Sequence, residues 1–192
     1  MKQVIKKMKN TTASGPDDIP CIAIKKLGGF LSLYLTHIIN LCFEQGKFPN
    51  CWKLAKIIPL YKLFGEKDKS KQYDGKNYRP VANLNAMSKV MEKIVAIQLS
   101  NYLEKNKLLT DYQGAYRKHR NCEMSVLQLQ DKILKDAENG FDNSIILTDM
   151  STAFDTVSHQ VLLDKLKLYG LDQESLNWFE RLQTGLLSFF FR

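Results

Sequence analysis

Residues 145–159 read IILTDMSTAFDTVSH. The apolar run NSIILT (143–148) stops at an acid, Asp149, and a second acid, Asp155, follows an Ala-Phe pair. A short continuous apolar run of this kind predicts a strand buried on both faces. Asp149 would stand at its C-terminal edge. From Ser158 onward, HQVLLDKLKLYG predicts a helix closed by Gly170. A carboxylate at the tip of a buried strand costs free energy unless it is hydrated, paired or bound to a cation. Carboxylates on rigid elements are also how hard divalent ions are held, with waters and phosphates completing the shell. An aspartate that only caps or pairs at a strand edge is the plainer alternative.

Working outward, TTASGPDDIP (11–20) is turn chemistry, with Asp17 or Asp18 placed to cap a helix running to about Leu27. Gly28 and Gly29 interrupt it. FLSLYLTHIINLCFEQGKFP (30–49) is apolar on nearly every face, which predicts a buried helix stopped by Gly46 and Pro49. CWKLAKIIPLYK (51–62) predicts a strand that Pro59 confines to an edge or a bulge. LFGEKDKSKQYDGKN (63–77) is a basic loop and YRPVANL (78–84) a second strand, together a long-looped hairpin with a cationic tip. AMSKVMEKIVAIQLSNYLEKN (86–106) has helical apolar spacing. QGAYRKHRN (113–121) is a basic turn bearing an aromatic, and EMSVLQLQDKILKDAENG (123–140) is a helix with Gly140 where a left-handed cap belongs.

The 192 residues are 44% hydrophobic and 25% charged, an ordinary globular composition able to bury a core. The net charge of +8 is uneven. Residues 1–135 carry 24 Lys and Arg against 11 Asp and Glu, whereas residues 136–192 carry 4 against 9. A basic front suits a polyanion and an acidic back suits cations, although a solvated lysine surface would look the same. Cys21, Cys42, Cys51 and Cys122 form no Cys-x-x-Cys pair, and His37, His119 and His159 complete no zinc spacing. Reduced thiols in an intracellular protein, mostly buried, are expected. The N-terminus MKQVIKKMKN has no apolar run behind it, and no stretch approaches the ~18 apolar residues of a membrane span. No partner membrane is therefore expected.

ILTDMSTAFDTVSHQVLLDKLKLYG closely resembles the first palm motif of reverse transcriptases from non-LTR (LINE-like, jockey-type) retrotransposons. Three more stretches agree in order. KNTTASGPDDIP resembles the lead into that family's fingers, and CWKLAKIIPLYK with NYRPVANLNAMSKVMEKIV resembles its fingers hairpin and following helix. LLTDYQGAYRKHRNCE resembles its Q-x-x-[FY]-R block. The resemblance covers about residues 8–182. It implies an α+β fold, a partial right-hand polymerase. Residues 1–110 would be fingers with N-terminal helices and the basic hairpin, 111–182 the start of the palm, and 183–192 a divergent tail; a thumb would be absent.

The same resemblance implies roles. Asp149 would be the first metal carboxylate and the Met150 backbone carbonyl a second contact. Two Mg²⁺ ions, with Mn²⁺ as a substitute, would serve the intact enzyme. Phe154 would lie under the sugar and select deoxynucleotides, with core packing as its alternative. Lys62 and Arg79 would grip the incoming dNTP triphosphate. Tyr116, Arg117, Lys118 and Arg120 would hold nucleic acid, an RNA template with a DNA primer, with a solvated turn as their alternative. Asp155 would be structural, capping the next helix or tying to a backbone amide. Lys53, Lys56, Lys67, Lys69, Lys71 and Lys76 would add sequence-blind attraction. The protein would work inside the cell, in cytoplasm or nucleus.

Departures matter equally. The family carries a later palm hairpin with paired aspartates, whereas this chain has Asp-Asp only at Asp17-Asp18. LNWFERL still resembles the family and QTGLLSFFFR does not. Ala115-Tyr116 stands where Gly-Phe is common, and Asn121-Cys122 where Ser-Thr is. The expectation is a chain cut short inside the palm and inactive by itself. Two alternatives stand beside it. One is a decayed remnant that still binds nucleic acid. The other is a phosphohydrolase of the D-x-D-x-T kind, which the DMST here matches poorly because Ser151 replaces the second acid.

Overall fold

The computed structural model describes residues 1–61, 75–150 and 156–183, apart from the Lys76 side chain. Lys62, Phe154, Asp155, Ser151 and the loop lysines Lys67, Lys69 and Lys71 lie outside the described residues, as does nearly all of the 183–192 tail. The chain divides into two compact units, one of residues 1–96 with 152–192 and one of residues 97–151.

The first unit holds the core. Helix α1 (Lys2–Lys6) is followed by a turn, α2 (Cys21–Lys26) and the long α3 (Gly28–Glu44). Ile5, Ile24, Leu35, Ile39 and Phe48 pack with Val90, Met91 and Trp178 into one apolar cluster. Gly28 is required here, since a Cβ on it would come 2.7 Å from Ile5 Cγ2. The chain breaks at Leu27, and the two glycines become the first turn of α3. Asp17 and Asp18 do not cap α2, whose N-cap is Pro20 without a side-chain bond. Instead the Asp17 carboxylate accepts from the Ile19 N–H, and Asp18 sits at φ 53° with its carboxylate accepting from the Ser14 hydroxyl. They close a tight turn before the helix rather than its first turn.

Helix α3 corrects a second expectation. Only Gly28, Ser32, Leu35, Ile39 and Cys42 are buried, one face of the helix, and the opposite apolar face is exposed. Gly46 at φ 55° ends it, with the Lys47 N–H donating to the Cys42 carbonyl at 2.8 Å. Cys21 and Cys42 are buried, while Cys51 and Cys122 are exposed; all four are free thiols.

Strands β1 (Ala55–Tyr61) and β2 (Tyr78–Leu84) pair antiparallel in register Ala55↔Leu84 to Tyr61↔Tyr78. This is the hairpin expected from the sequence, and Pro59 stands directly opposite Pro80. Helix α4 (Ala86–Lys105) follows. The Asn85 carboxamide opens it, accepting from the Ser88 N–H at 2.7 Å. Two helices complete this unit, α6 (His159–Leu168) and α7 (Gln173–Leu182). Ser158 caps α6 and Asp172 caps α7 through their side chains. Gly170 ends α6 at φ 85°, as expected. α7 brings Trp178 into the core, where its ring meets Phe43, Phe48 and Phe179 edge-on at 5.2–5.7 Å.

The second unit contains the C-terminal part of α4, the basic turn and α5 (Cys122–Glu138). Asn121 caps α5 by accepting from the Met124 N–H at 2.8 Å. At the other end the Gly140 N–H donates to the Ala137 carbonyl and the Phe141 N–H to the Asp136 carbonyl, with Gly140 at φ 78°. That double bond pattern is the left-handed closure expected at this glycine.

The expected strand over 143–148 is not formed: residues 141–150 have no regular secondary structure. Ile146 and Leu147 are each 87% exposed. A strand takes its backbone hydrogen bonds from a neighbour, and the one sheet among the described residues is β1–β2. Apolar composition alone cannot supply that partner.

Candidate nucleotide and nucleic-acid site

In the first unit, β2 carries Arg79 opposite Leu60, on an exposed strand position. Tyr61 and Tyr78 close the described end of the ribbon with ring centroids 5.4 Å apart. Lys62, the residue after β1, falls among those not described. Arg79 is therefore held at a fixed height on the ladder with its guanidinium on the surface, which suits a fork toward phosphate.

In the second unit the basic turn is braced from α4. Arg117 makes a two-point pair with Glu104, Nε to Oε1 at 2.8 Å and Nη2 to Oε2 at 2.7 Å. Its Nη1 donates to the Thr110 carbonyl at 2.7 Å. Three protein acceptors and a side chain only 10% exposed make Arg117 a strut. The hydrogen bond from Arg117 holds the Glu104 carboxyl below the usual carboxylate range, and the same bond raises Arg117. Lys118 donates to the Asn101 carboxamide at 2.9 Å. Arg120 Nη1 donates to the Asp111 carbonyl at 2.9 Å.

That bracing sets the backbone of the turn. Tyr116 and His119 both lie in the left-handed region, at φ 59° and 58°. Tyr116 is 88% exposed, so its ring is offered to solvent. Tyr112 is 97% exposed nearby in sequence and was not singled out from the sequence, although it belongs to the same block. Exposed rings between cations are what single strands stack on. The structure thus sorts the four residues expected to hold nucleic acid: Tyr116 is presented, Arg117 is spent on Glu104, Lys118 has one donor bound to the protein, and Arg120 has Nη1 on the Asp111 carbonyl with Nη2 3.9 Å from the Asp111 carboxylate.

Asp149 and Met150 lie on the exposed stretch after α5, tethered by the Asn143 side-chain N–H to the Ile133 carbonyl at 3.4 Å. A carboxylate and a peptide carbonyl are hard oxygen donors of the type Mg²⁺ prefers. Two donors on one unpaired segment do not make a site, and among the described residues no group of three His, Cys, Asp or Glu is placed to hold an ion. Two titratable groups elsewhere are shifted by burial: the Glu92 carboxyl is pushed up despite its bond from the Ser88 hydroxyl at 3.0 Å, and burial with Cys51 nearby pushes up the Cys42 thiol. No helix among the described residues is long and apolar enough to cross a membrane.

The chain is 28% identical over 165 residues to the probable RNA-directed DNA polymerase from transposon BS of Drosophila melanogaster, covering 86% of this chain and 18% of that protein. It is 28% identical over 166 residues, again 86% and 18%, to the probable RNA-directed DNA polymerase from transposon X-element of the same fly. It is 27% identical over 167 residues, 87% and 18%, to its RNA-directed DNA polymerase from mobile element jockey. The chain thus spans about 18% of the length of these relatives. Residues 67–190 match the family described as reverse transcriptase (RNA-dependent DNA polymerase), a range that includes part of the 183–192 stretch. On that match this chain belongs to the reverse transcriptase family.

Proposed function

We propose that the chain is the fingers (residues 1–110) and the first part of the palm (111–182) of a right-hand RNA-directed DNA polymerase from a non-LTR retrotransposon. What supports this is the family match over residues 67–190, together with a hairpin that carries Arg79 at an exposed position opposite Leu60. Arg79, with Lys62, serves the triphosphate of an incoming dNTP. Tyr116, with Lys118 and Arg120, serves the RNA template and DNA primer, and Arg117 positions their turn. Phe154 limits the sugar to the deoxy form, and Asp155 keeps a structural role as a tie to a backbone amide, since Ser158 caps the following helix.

Asp149 contributes one carboxylate, and the Met150 carbonyl one oxygen, to a Mg²⁺ or Mn²⁺ site completed by carboxylates from elsewhere in a full polymerase. When bound, such ions supply Lewis-acid stabilisation of the transferring phosphate. The chain alone therefore does not extend a primer. Its place is inside the cell, in cytoplasm or nucleus.

Primer extension on an RNA template with Mg²⁺ or Mn²⁺ tests this. No extension by this chain is expected. Robust extension abolished by Asp149→Ala would refute the incompleteness. A second reading, a nucleic-acid-binding remnant without catalysis, is favoured by the exposed course of residues 143–150, which has no regular secondary structure. The two separate when this chain is joined to the remaining palm and thumb of a relative. Restored extension that depends on Asp149 supports the polymerase, and binding without extension supports the remnant.

A further inference from the structure

Helix α3 buries one face and leaves the other bare. Leu27, at its N-cap, and Phe30, Tyr34, Ile38 and Leu41 are all exposed. Steps of three and four residues place them in one stripe. The rings of Phe30 and Tyr34 stand 5.2 Å apart within it. At 1.5 Å per residue the stripe runs about 21 Å. It ends in an open basin of about 500 Å³, which Ile38 and Leu41 line together with Phe48. Lys47 and Lys53 line the same basin, and among the described residues that line it none is acidic.

We propose that this face docks a partner helix whose apolar side covers the stripe and whose first turn carries carboxylates seated between Lys47 and Lys53. A contiguous apolar surface rimmed by charge is the usual mark of an interaction site. The stripe supplies contact area but no direction. Lys47 and Lys53 at the basin outweigh the exposed Lys26 at the other end, where Lys25 is bonded to Met8 and Asn10, and complementary charge then fixes register and orientation. Acidic side chains are favoured in a helix's first turn, where the dipole is positive. The partner therefore runs antiparallel to α3, its N-terminus at the basin. A second copy of this chain fits poorly: packed antiparallel, it would bring its own Lys26, just before the stripe, toward the basin cations. The proposal is independent of any polymerase activity.

Fluorescence anisotropy on the whole chain tests it. The probe is a labelled 18-residue amphipathic peptide with leucines at three- and four-residue spacing and three Glu in its first turn. Saturable binding is expected, weakened tenfold or more by Phe30→Ser with Tyr34→Ser, and likewise by Lys47→Glu with Lys53→Glu. The charge-reversed variant should instead prefer the same peptide with Lys replacing Glu. Should a variant fail to fold by circular dichroism, the unaltered chain reads the same contrast, binding the Glu peptide at least tenfold tighter than the Lys peptide. Equal binding of the two peptides overturns the proposal. So does self-association in sedimentation that Phe30→Ser with Tyr34→Ser abolishes, or adsorption to phosphatidylserine vesicles that displaces the peptide.

Discussion

Arg117 and Glu104 face each other through two parallel hydrogen bonds, 2.8 and 2.7 Å long, across thirteen residues of sequence. The pair ties the basic turn to the C-terminal part of α4. Replacing Arg117 with Ala should loosen the turn while leaving the first unit's core intact. Hydrogen exchange should quicken over residues 110–121 and stay unchanged around Val90 and Met91. Arg117→Lys should recover little, because an ammonium cannot reproduce the planar fork. Unchanged exchange at the turn in Arg117→Ala would remove its role as strut.

The same pair sets a pH dependence. The Glu104 carboxyl lies lower in the folded protein than when unfolded, because Arg117 bonds its charged form. The unfolded state therefore binds the proton first. This contribution is complete above the usual Glu value of about 4.3 and is lost as pH falls through the folded value. Asp172, lowered by its bonds from Ser175, acts in the same direction. Melting temperature should drop on acidification below about pH 4, and Glu104→Gln should show a shallower drop. A Glu104→Gln profile parallel to the original would dismiss the pair as its source.

Trp178 is 3% exposed at the centre of three aromatic rings, and its indole N–H has no acceptor among the described residues. Trp178→Ala should destabilise by about 3–5 kcal/mol. Trp178→Phe should cost under about 1.5 kcal/mol, because it keeps most of the apolar volume and removes a buried donor. Urea denaturation compares them, and equal losses would mean that the indole N–H is bonded after all.

Two glycines should respond with opposite signs. A Cβ on Gly15 would come 2.6 Å from the Asn85 backbone, so Gly15→Ala must push the 14–20 turn off the start of α4. A loss of about 1–3 kcal/mol is expected. Gly29, in the first turn of α3, has nothing within 4 Å of its would-be Cβ. Gly29→Ala should gain about 0.5–1 kcal/mol through helix propensity. Thermal melts of the two single variants decide it.

Nucleic-acid binding should depend on Tyr116 and Arg79 in different ways. Tyr116→Ala should cost about 1–3 kcal/mol on single-stranded RNA with little change in salt dependence, as stacking does. Arg79→Ala should instead reduce the slope of log affinity against log salt by about 0.7–0.9, one phosphate contact. Filter binding at several salt concentrations separates the two. Equal slopes would take Arg79 off the phosphate.

The hairpin was legible because its strands carry their own instructions: two apolar runs, prolines that suit an edge, and a polar loop between. The glycine stops at Gly46, Gly140 and Gly170 were legible because a left-handed residue has few alternatives. The bare face of α3 was not. Its apolar periodicity says which side chains prefer burial, not whether the chain supplies a cover. The run at 143–148 misled for the same reason, since a strand is defined by a neighbour. The Arg117–Glu104 pair gave no local signal, and the opening helix α1, anchored by buried Ile5, was hidden in what reads as a lysine-rich leader. The strand position of Arg79 and the turn at 113–121 were legible in the sequence, but which of the turn's cations is committed to the protein needed coordinates.

Pro59 and Pro80 face each other within an unbroken antiparallel register. Proline has no N–H, so the rung survives only if both ring nitrogens point outward, away from the partner strand. Each outer border of the ribbon then lacks a donor at the same height. A third strand trying to zip along either side would meet a gap midway, which guards this arm against sheet-to-sheet polymerisation without a single charged residue at that level.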